Sequence, residues 1–260
     1  MHTERLRADW IGFYTIVRKE IRRVMRIWVQ TLVPPVIQMT LYFLIFGTVI
    51  GSRIGKMDGV DYMAFIAPGI IMMAIITNSY SNVVSSFFGA KFSRHIEELL
   101  VSPLPNFMIL AGYMLGGMMR GLLVGGIITV IASLFTHLPI THPWIIIGAA
   151  ILTAAVFSLG GLLNALFATK FDDISIVPTF VLTPLQYLGG VFYSISVLPP
   201  FWRHLTRVDP MLYMIDTLRF GFLGTSDISP GEGFGMMFGF LVILFAVSLW
   251  LLKRGSGLKS

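Results

Sequence analysis

The segment that decides the fold is KFSRHIEELLVSPLP at residues 91–105, a short charged stretch between two long apolar runs. A helix needs about 20 mainly apolar residues to cross a bilayer, and both flanking runs are long enough. A polar segment bounded in this way indicates a loop at a membrane surface. Because the chain has little other polar sequence, we expect this segment to make many of its contacts with water-soluble partners.

The composition is typical of a membrane protein with several spans. Of the 260 residues, 55% are hydrophobic and 12% are charged, whereas soluble domains carry about 25% charged residues. The chain has no cysteine, which excludes disulfides and thiolate metal sites. The net charge of +6 does not indicate a nucleic-acid partner, because the cations cluster at membrane boundaries and no soluble domain could form a groove.

Uncharged runs bounded by charges and turns predict an all-α integral membrane protein with six transmembrane helices. The predicted spans lie at about residues 29–51, 62–88, 107–135, 144–167, 174–194 and 233–252. Residues 195–225 are only half apolar, and neither of their two amphipathic pieces is long enough to cross. They predict two short helices that dip into the outer leaflet or lie on it, carrying Phe201, Trp202 and Tyr213.

Residues 10–28 predict an amphipathic helix in the membrane interface. At about 100° per residue, one side is apolar. The other side carries the cations Arg18, Lys19, Arg22, Arg23 and Arg26. Such a face is attracted to anionic headgroups. A soluble helix packed on a core is the alternative, and the sequence offers no soluble core for it.

The distribution of Lys and Arg predicts the orientation. With six spans and Arg120 counted at the interface, 14 of the 19 basic residues lie on the side of both termini, residues 91–105 and the loop at Lys170. The richer side is cytoplasmic. Both termini are therefore predicted in the cytoplasm, and residues 195–225 outside.

Polar stripes within two spans give a candidate substrate path. Asn78 and Asn82 share one face of the second span, and Thr179, Thr183 and Gln186 form a stripe on the fifth. Such faces avoid lipid and meet a wet cavity or another helix. Two interpretations stay open: the wall of a path, or hydrogen bonds between helices and to carbonyls freed by prolines.

The third span contains one cation, Arg120, among glycines spaced four apart. The spacing predicts close helix packing. An arginine at membrane depth is a functional candidate. The favoured interpretation is nevertheless that this span begins near Gly116 and that Arg120 snorkels to the cytoplasmic interface.

The sequence shows no catalytic, metal-binding or cofactor-binding set. The five histidines are scattered, no phosphate-binding glycine-rich loop with its lysine is present, and Asp172 and Asp173 are adjacent and so point to different helix faces. These two acids predict a helix start or a docking feature. No carboxylate lies within a predicted span, which disfavours proton or sodium coupling.

Four segments in order carry a family likeness. They are VRKEIRRVMR at 17–26, HIEELLVSPLP at 95–105, LGGVFYSISVLPPFWR at 188–203 and DPMLYMIDTLRFGFLG at 209–224. With six spans they resemble the type-2 ABC exporter permeases, and small bacterial inner-membrane permeases of unassigned substrate most of all. The likeness implies an interface helix, a coupling helix between spans 2 and 3, and an external re-entrant hairpin. The sequence departs from the family at Asp209-Pro210, where many members have Asn-Pro.

The resemblance also implies partners. A homodimer, or a pair with a similar subunit, would enclose the substrate path, and two separate cytoplasmic ATPase subunits would bind ATP and Mg. The residues expected to receive the ATPases are Arg94, His95, Glu97, Glu98 and Leu99, together with Arg18 and Arg22.

Two other functions are considered beside this one. An ion-coupled carrier or channel would need an ion-binding or proton-relay group in the membrane, for which only Arg120 is available. An enzyme acting on lipid would need a clustered acid/base or nucleophile set, and the sequence shows none. A drug, a glycan and a lipid remain equally possible as substrates.

Overall fold

A computed structural model describes residues 2–255, which form a helical bundle with one short β-hairpin. The helices are α1 (His2–Arg26), α2 (Trp28–Ile54), α3 (Tyr62–Phe92), α4 (His95–Val101), α5 (Asn106–Phe135), α6 (Pro143–Phe167), α7 (173–188), α8 (Pro200–Val208), α9 (Pro210–Leu223) and α10 (Pro230–Arg254). The all-α class is confirmed. The end of the predicted basic tail, at 256–260, lies outside the described residues.

Five of the described helices are long and apolar enough to cross a membrane: α2, α3, α5, α6 and α10. The helix predicted at 174–194 is shorter than expected, because α7 has 16 residues and ends at Leu188. The chain turns there through Gly189 and Gly190, and Gly190 has a φ of +78°, which glycine adopts without a steric penalty. The residues after this turn are also apolar, so the predicted span continued to residue 194 although the helix ends at Leu188.

Helix α3 lies at the centre of the bundle and is buried on nearly every side. Helices α5 and α6 pack closely against its backbone. A side chain at Gly161 of α6 would collide with the carbonyl oxygen of Tyr80, and one at Gly121 of α5 would collide with Ser79. The glycine spacing of α5 therefore serves close helix packing, as predicted.

The turn between α2 and α3 is a two-stranded antiparallel hairpin, β1 (Lys56–Met57) and β2 (Val60–Asp61). Asp58 and Gly59 join the strands with φ values of 50° and 80°. Positive φ at both positions is typical of the tight Asp-Gly hairpin turn. Asp61 then accepts a hydrogen bond from the backbone N–H of Met63 and caps the start of α3.

The two helices predicted at 195–225 are present, but they differ in burial. Helix α9 packs against α3, α6 and α10, and its predicted apolar face is buried among them. Phe201 and Trp202 of α8 are exposed, with ring centroids 5.5 Å apart. Helix α9 is thus part of the bundle core. Other helices cover the apolar face that lipid was expected to cover, while the placement of the two helices in or on the outer leaflet stays a prediction.

Candidate coupling surface and substrate path

The short helix α4 follows α3 after only two residues. Ser93 and Arg94 close the end of α3 through backbone hydrogen bonds to Gly89 and Lys91. Arg94 has a φ of 61°, in the left-handed region that non-glycine residues rarely adopt. This linkage turns the chain sharply and holds α4 directly against the end of α3.

Helix α4 is anchored on its apolar side and exposes its charged residues. Ile96 is buried in the core, and Leu99 is half-buried against it. The remaining predicted coupling residues of this segment are exposed: Arg94, His95, Glu97 and Glu98. The geometry presents two adjacent carboxylates to solvent on a helix that is fixed to α3.

Helix α1 is fastened to α3 by a buried acid that the sequence analysis did not single out, Glu20, and by Arg23 of the predicted basic face. The carboxylate of Glu20 is fully buried and accepts a 2.6 Å hydrogen bond from Ser86 Oγ. Arg23 lies 3.5 Å from Glu20 and donates from Nη2 to both the backbone oxygen and Oδ1 of Asn82, at 2.8 Å each. The sequence does contain a signal for this contact. Glu20 is an acid among the basic residues 18–26, and the helical period places it beside Phe13 and Val24 on the apolar side. Arg18 and Arg22 remain exposed.

Arg120 points into the bundle. Its Nη2 donates to Asn78 Oδ1 at 3.2 Å and to the backbone oxygen of Thr31 at 3.3 Å. Helix α5 begins at Asn106, ten residues before the position near Gly116 at which the membrane span was expected to begin. The guanidinium finds acceptors on α2 and α3, and this arrangement replaces the expected snorkelling.

The predicted path residues fall into two groups. Asn78 and Asn82 are buried and occupied by the two arginines, which is the arrangement expected of hydrogen bonds between helices. Thr179 and Thr183 lie on an exposed face of α7. Gln186 is buried and donates to Thr77 Oγ1 at 3.1 Å.

The polar residues of α3 that are accessible form a line along the helix, and this line is shifted by one position from the predicted residues Asn78 and Asn82. Thr77, Ser81 and Ser85 are spaced four apart and are at least partly exposed on a helix that is otherwise buried. Beside this line, the hydroxyls of Tyr42 and Tyr187 lie 3.1 Å apart, and Tyr42 accepts from Gln38 Nε2 at 3.2 Å. Counting helix positions could have found this line, because it is the next i, i+4 row of the same polar segment.

The turn after α6 is held by Lys91 at the end of α3 and by Asp173 at the start of α7. Lys91 Nζ donates to the backbone oxygens of Leu166 and Ala168, at 2.8 Å each. Asp173 accepts from the backbone N–H groups of Thr169 and Lys170, and these bonds hold the pKa of its carboxyl below the usual value. Asp173 therefore acts as a helix-start residue, one of the two roles that the sequence predicted.

At the opposite end of the bundle, α9 contains a buried ion pair that the sequence analysis counted only as loop charge. Arg219 Nη1 lies 3.1 Å from Asp216 Oδ1. Arg219 also donates to the backbone oxygen of Gly190 at 2.6 Å, and its guanidinium stacks 4.0 Å above the ring centroid of Phe65. Asp216 accepts from the N–H of Ile228 at 2.7 Å. Tyr213, predicted here, donates to the backbone oxygen of Arg207.

In the part of the chain that the structure describes, no group of three or more His, Asp or Glu side chains comes together as a metal site. The arrangement instead has a solvent-exposed acidic helix at one end, an accessible polar line on α3, and an enclosed ion pair at the other end.

The family model described as "ABC-2 type transporter" matches residues 12–223. The chain is 57% identical over 252 residues to "Inner membrane transport permease YadH" of Escherichia coli strain K12, covering 96% of this chain and 98% of that protein. It is 30% identical over 219 residues to "Nodulation protein J" of Rhizobium leguminosarum bv. viciae, covering 82% and 83%. The chain belongs to the ABC-2 type transporter family.

Proposed function

We propose that this chain is the transmembrane subunit of an ATP-driven exporter in a bacterial inner membrane. Two separate cytoplasmic ATPase subunits would supply ATP and Mg chemistry, and a second copy of the chain would complete the substrate path. Support comes from membership of a transporter family and from the name of the E. coli relative. The alternative of an ion-coupled carrier is not favoured, because Arg120 donates to Asn78 and Thr31.

The observation that carries the proposal is the attachment of α4 to α3. A force applied to Glu97 and Glu98 is transmitted to α3 through Ser93 and Arg94, because these two residues are the whole connection between α3 and α4. Helix α1 is fastened to the same helix through Glu20 and Arg23. Contact with an ATPase at α4, Arg18 and Arg22 would therefore move α1 and α3 together.

The path is proposed between two copies, along the exposed face of α7 and the Thr77, Ser81 and Ser85 line of α3. The exposed residues of α7 alternate hydroxyls with large apolar groups, including Thr179, Phe180 and Thr183. A hydroxyl-bearing face is poorly matched to lipid. A second copy and a passing substrate would cover it.

In this proposal both termini and α4 face the cytoplasm, while α8 faces outward. Helix α7 rises about 24 Å, and the segment after Leu188 would complete its crossing. The chain lacks native cysteine, so Ser93→Cys and Ser196→Cys variants can report the orientation. We expect an impermeant thiol reagent to label the Ser196 variant in intact cells and the Ser93 variant only after permeabilisation. The reverse pattern would refute the orientation.

Charge reversal tests the docking proposal. We expect the E97R/E98R variant to insert normally, but to lose the ATP-hydrolysing subunit on purification or to uncouple its ATP turnover from transport. A matched control is E232R, because Glu232 is also an exposed acid in the first turn of a helix. Full copurification and coupled turnover in the E97R/E98R variant would show that docking lies elsewhere. Purification of the wild-type chain without any ATPase would favour the carrier.

A further inference from the structure

Helix α1 has three distinct faces in the structure. The buried face carries Ile16, Glu20 and Val24 against α3 and α5. A second face exposes large apolar side chains: Trp10, Tyr14, Ile21 and Met25. The third face is basic and lines a cavity of about 570 Å³.

The cavity is strongly cationic. Its lining residues are Tyr14, Thr15, Arg18, Lys19, Arg22, Arg23 and Arg26, which we call the basic groove. The lining contains five cations and no carboxylate. The nearby acid, Glu20, points to the other side and is engaged by Ser86 and Arg23. Among the described residues, no carboxylate lies within ion-pair distance of Arg18, Lys19, Arg22 or Arg26.

The chemistry of the groove favours a phosphate ester. A phosphomonoester carries a charge of about −1.5 to −2 at neutral pH and has three strong acceptor oxygens. Guanidinium groups bind such oxygens in pairs, and four of the five cations are arginines. The hydroxyl of Tyr14 adds a donor at the same place.

The neighbouring face indicates what carries the phosphate. Tyr14 belongs both to the basic groove and to the exposed apolar face, so the two surfaces adjoin. Trp and Tyr side chains at such a boundary are typical of a membrane interface. An acidic protein surface would leave this apolar face in water, whereas an amphiphile would cover it with hydrocarbon.

We propose that the basic groove is a discrete binding site for the phosphomonoester headgroup of a membrane lipid, whose hydrocarbon part lies along the exposed apolar face of α1. The site adjoins the accessible line of α3, because Arg23 Nη1 lies 3.4 Å from Ser85 Oγ. A discrete site differs from general attraction to an anionic surface in two ways. It saturates, and it distinguishes a phosphomonoester from a phosphodiester.

Lipid binding to the purified full chain tests this proposal. Native mass spectrometry would count phosphatidic acid and, separately, phosphatidylglycerol retained by the chain in detergent. We expect phosphatidic acid to saturate at one molecule per chain and phosphatidylglycerol to bind more weakly. The K19Q/R26Q variant should bind phosphatidic acid about 30-fold more weakly, as expected for two cations that contribute about 1 kcal/mol each.

The controls separate this proposal from ATPase docking. Lys19 and Arg26 are not among the residues proposed to contact the ATPase, and no ATPase is needed for the measurement. The R7Q/K253Q variant removes the same charge from exposed positions outside the groove and should bind like the wild type. Circular dichroism would verify that all variants are folded.

Three results would overturn the proposal. Equal uptake of both lipids, with equal losses in the two double variants, would show general charge attraction. Displacement by soluble glycerol phosphate as readily as by the lipid would remove the role given to the apolar face. Failure to bind phosphatidic acid, together with loss of the ATPase subunit from the K19Q/R26Q variant, would assign the groove to a protein partner.

Discussion

Two helices of this protein carry an acid followed three residues later by an arginine, and the two pairs differ in how they are held. In α9, Asp216 and Arg219 are almost fully enclosed, with side chains 1% and 3% exposed. In α1, Glu20 is enclosed but Arg23 is 21% exposed. The same sequence spacing thus gives one sealed pair and one pair that opens onto the basic groove.

The partners of the two pairs also differ. Arg219 binds the backbone oxygens of Gly190 and Phe65, which cannot rotate away. Glu20 and Arg23 bind side-chain groups of Ser86 and Asn82, in addition to one backbone oxygen. We infer that the α9 pair fixes the end of the bundle opposite α4, whereas the α1 pair is a contact that side-chain rotation can loosen.

Removal of Arg219 should have the largest effect. An R219M variant leaves the Asp216 carboxylate buried without its cation, which costs about 3–5 kcal/mol. We expect a large fall in thermal stability in detergent and low yield. The D216N/R219M variant should regain part of the loss, because it buries no uncompensated charge. Equal stability of R219M and wild type would show that the pair is not sealed.

Truncation of Glu20 should have a smaller effect. The E20A variant removes the acceptor for Ser86, at a cost of about 1–3 kcal/mol, while Arg23 keeps its bonds to Asn82. Thermal unfolding of E20A would measure this loss of stability. The control is R7A, which changes an exposed residue of the same helix. A loss as large as that in R219M would mean that the two pairs are equally rigid.

A third buried acid gives the smallest predicted effect and sharpens the comparison, because no cation of residues 6–255 forms an ion pair with it. Asp209 caps α9 by accepting from the N–H of Met211, and burial raises the pKa of its carboxyl to about 6. A raised pKa means that its contribution to stability is fully present below the unfolded value of about 3.9 and is lost as pH rises through about 6.

The D209N variant should keep the cap, since Asn is as good a capping residue, and should lose this pH dependence. We expect its melting temperature to exceed that of wild type by a few degrees above pH 6 and to match it near pH 4. Parallel pH profiles for the two proteins would contradict the assignment.

The long helices could be predicted from the sequence because charges and turns bound their apolar runs. The span predicted at 62–88 corresponds to the helix Tyr62–Phe92, and the span predicted at 107–135 corresponds to the helix Asn106–Phe135. The end of α7 was missed because the residues after Gly190 are as apolar as a span. A turn made by two glycines leaves no polar signal.

The partners of the polar groups could not be predicted in the same way. A period of 3.6 residues shows that Met211 and Ile215 share a face, but lipid and protein are both apolar enough to cover it. The bond between Glu20 and Ser86 joins residues 66 apart in sequence. Such contacts depend on how helices pack, which no local pattern specifies.

The length of α3 gives the joint at Arg94 a mechanical meaning. At 1.5 Å per residue its 31 residues extend about 46 Å. A tilt of about 5° at the end beside α4 displaces the far end by about 4 Å over that length. At that far end, Tyr62 donates to the backbone oxygen of Phe192 and Phe65 supports Arg219. A small rotation imposed beside α4 is therefore delivered, enlarged, to the turn where α7 ends.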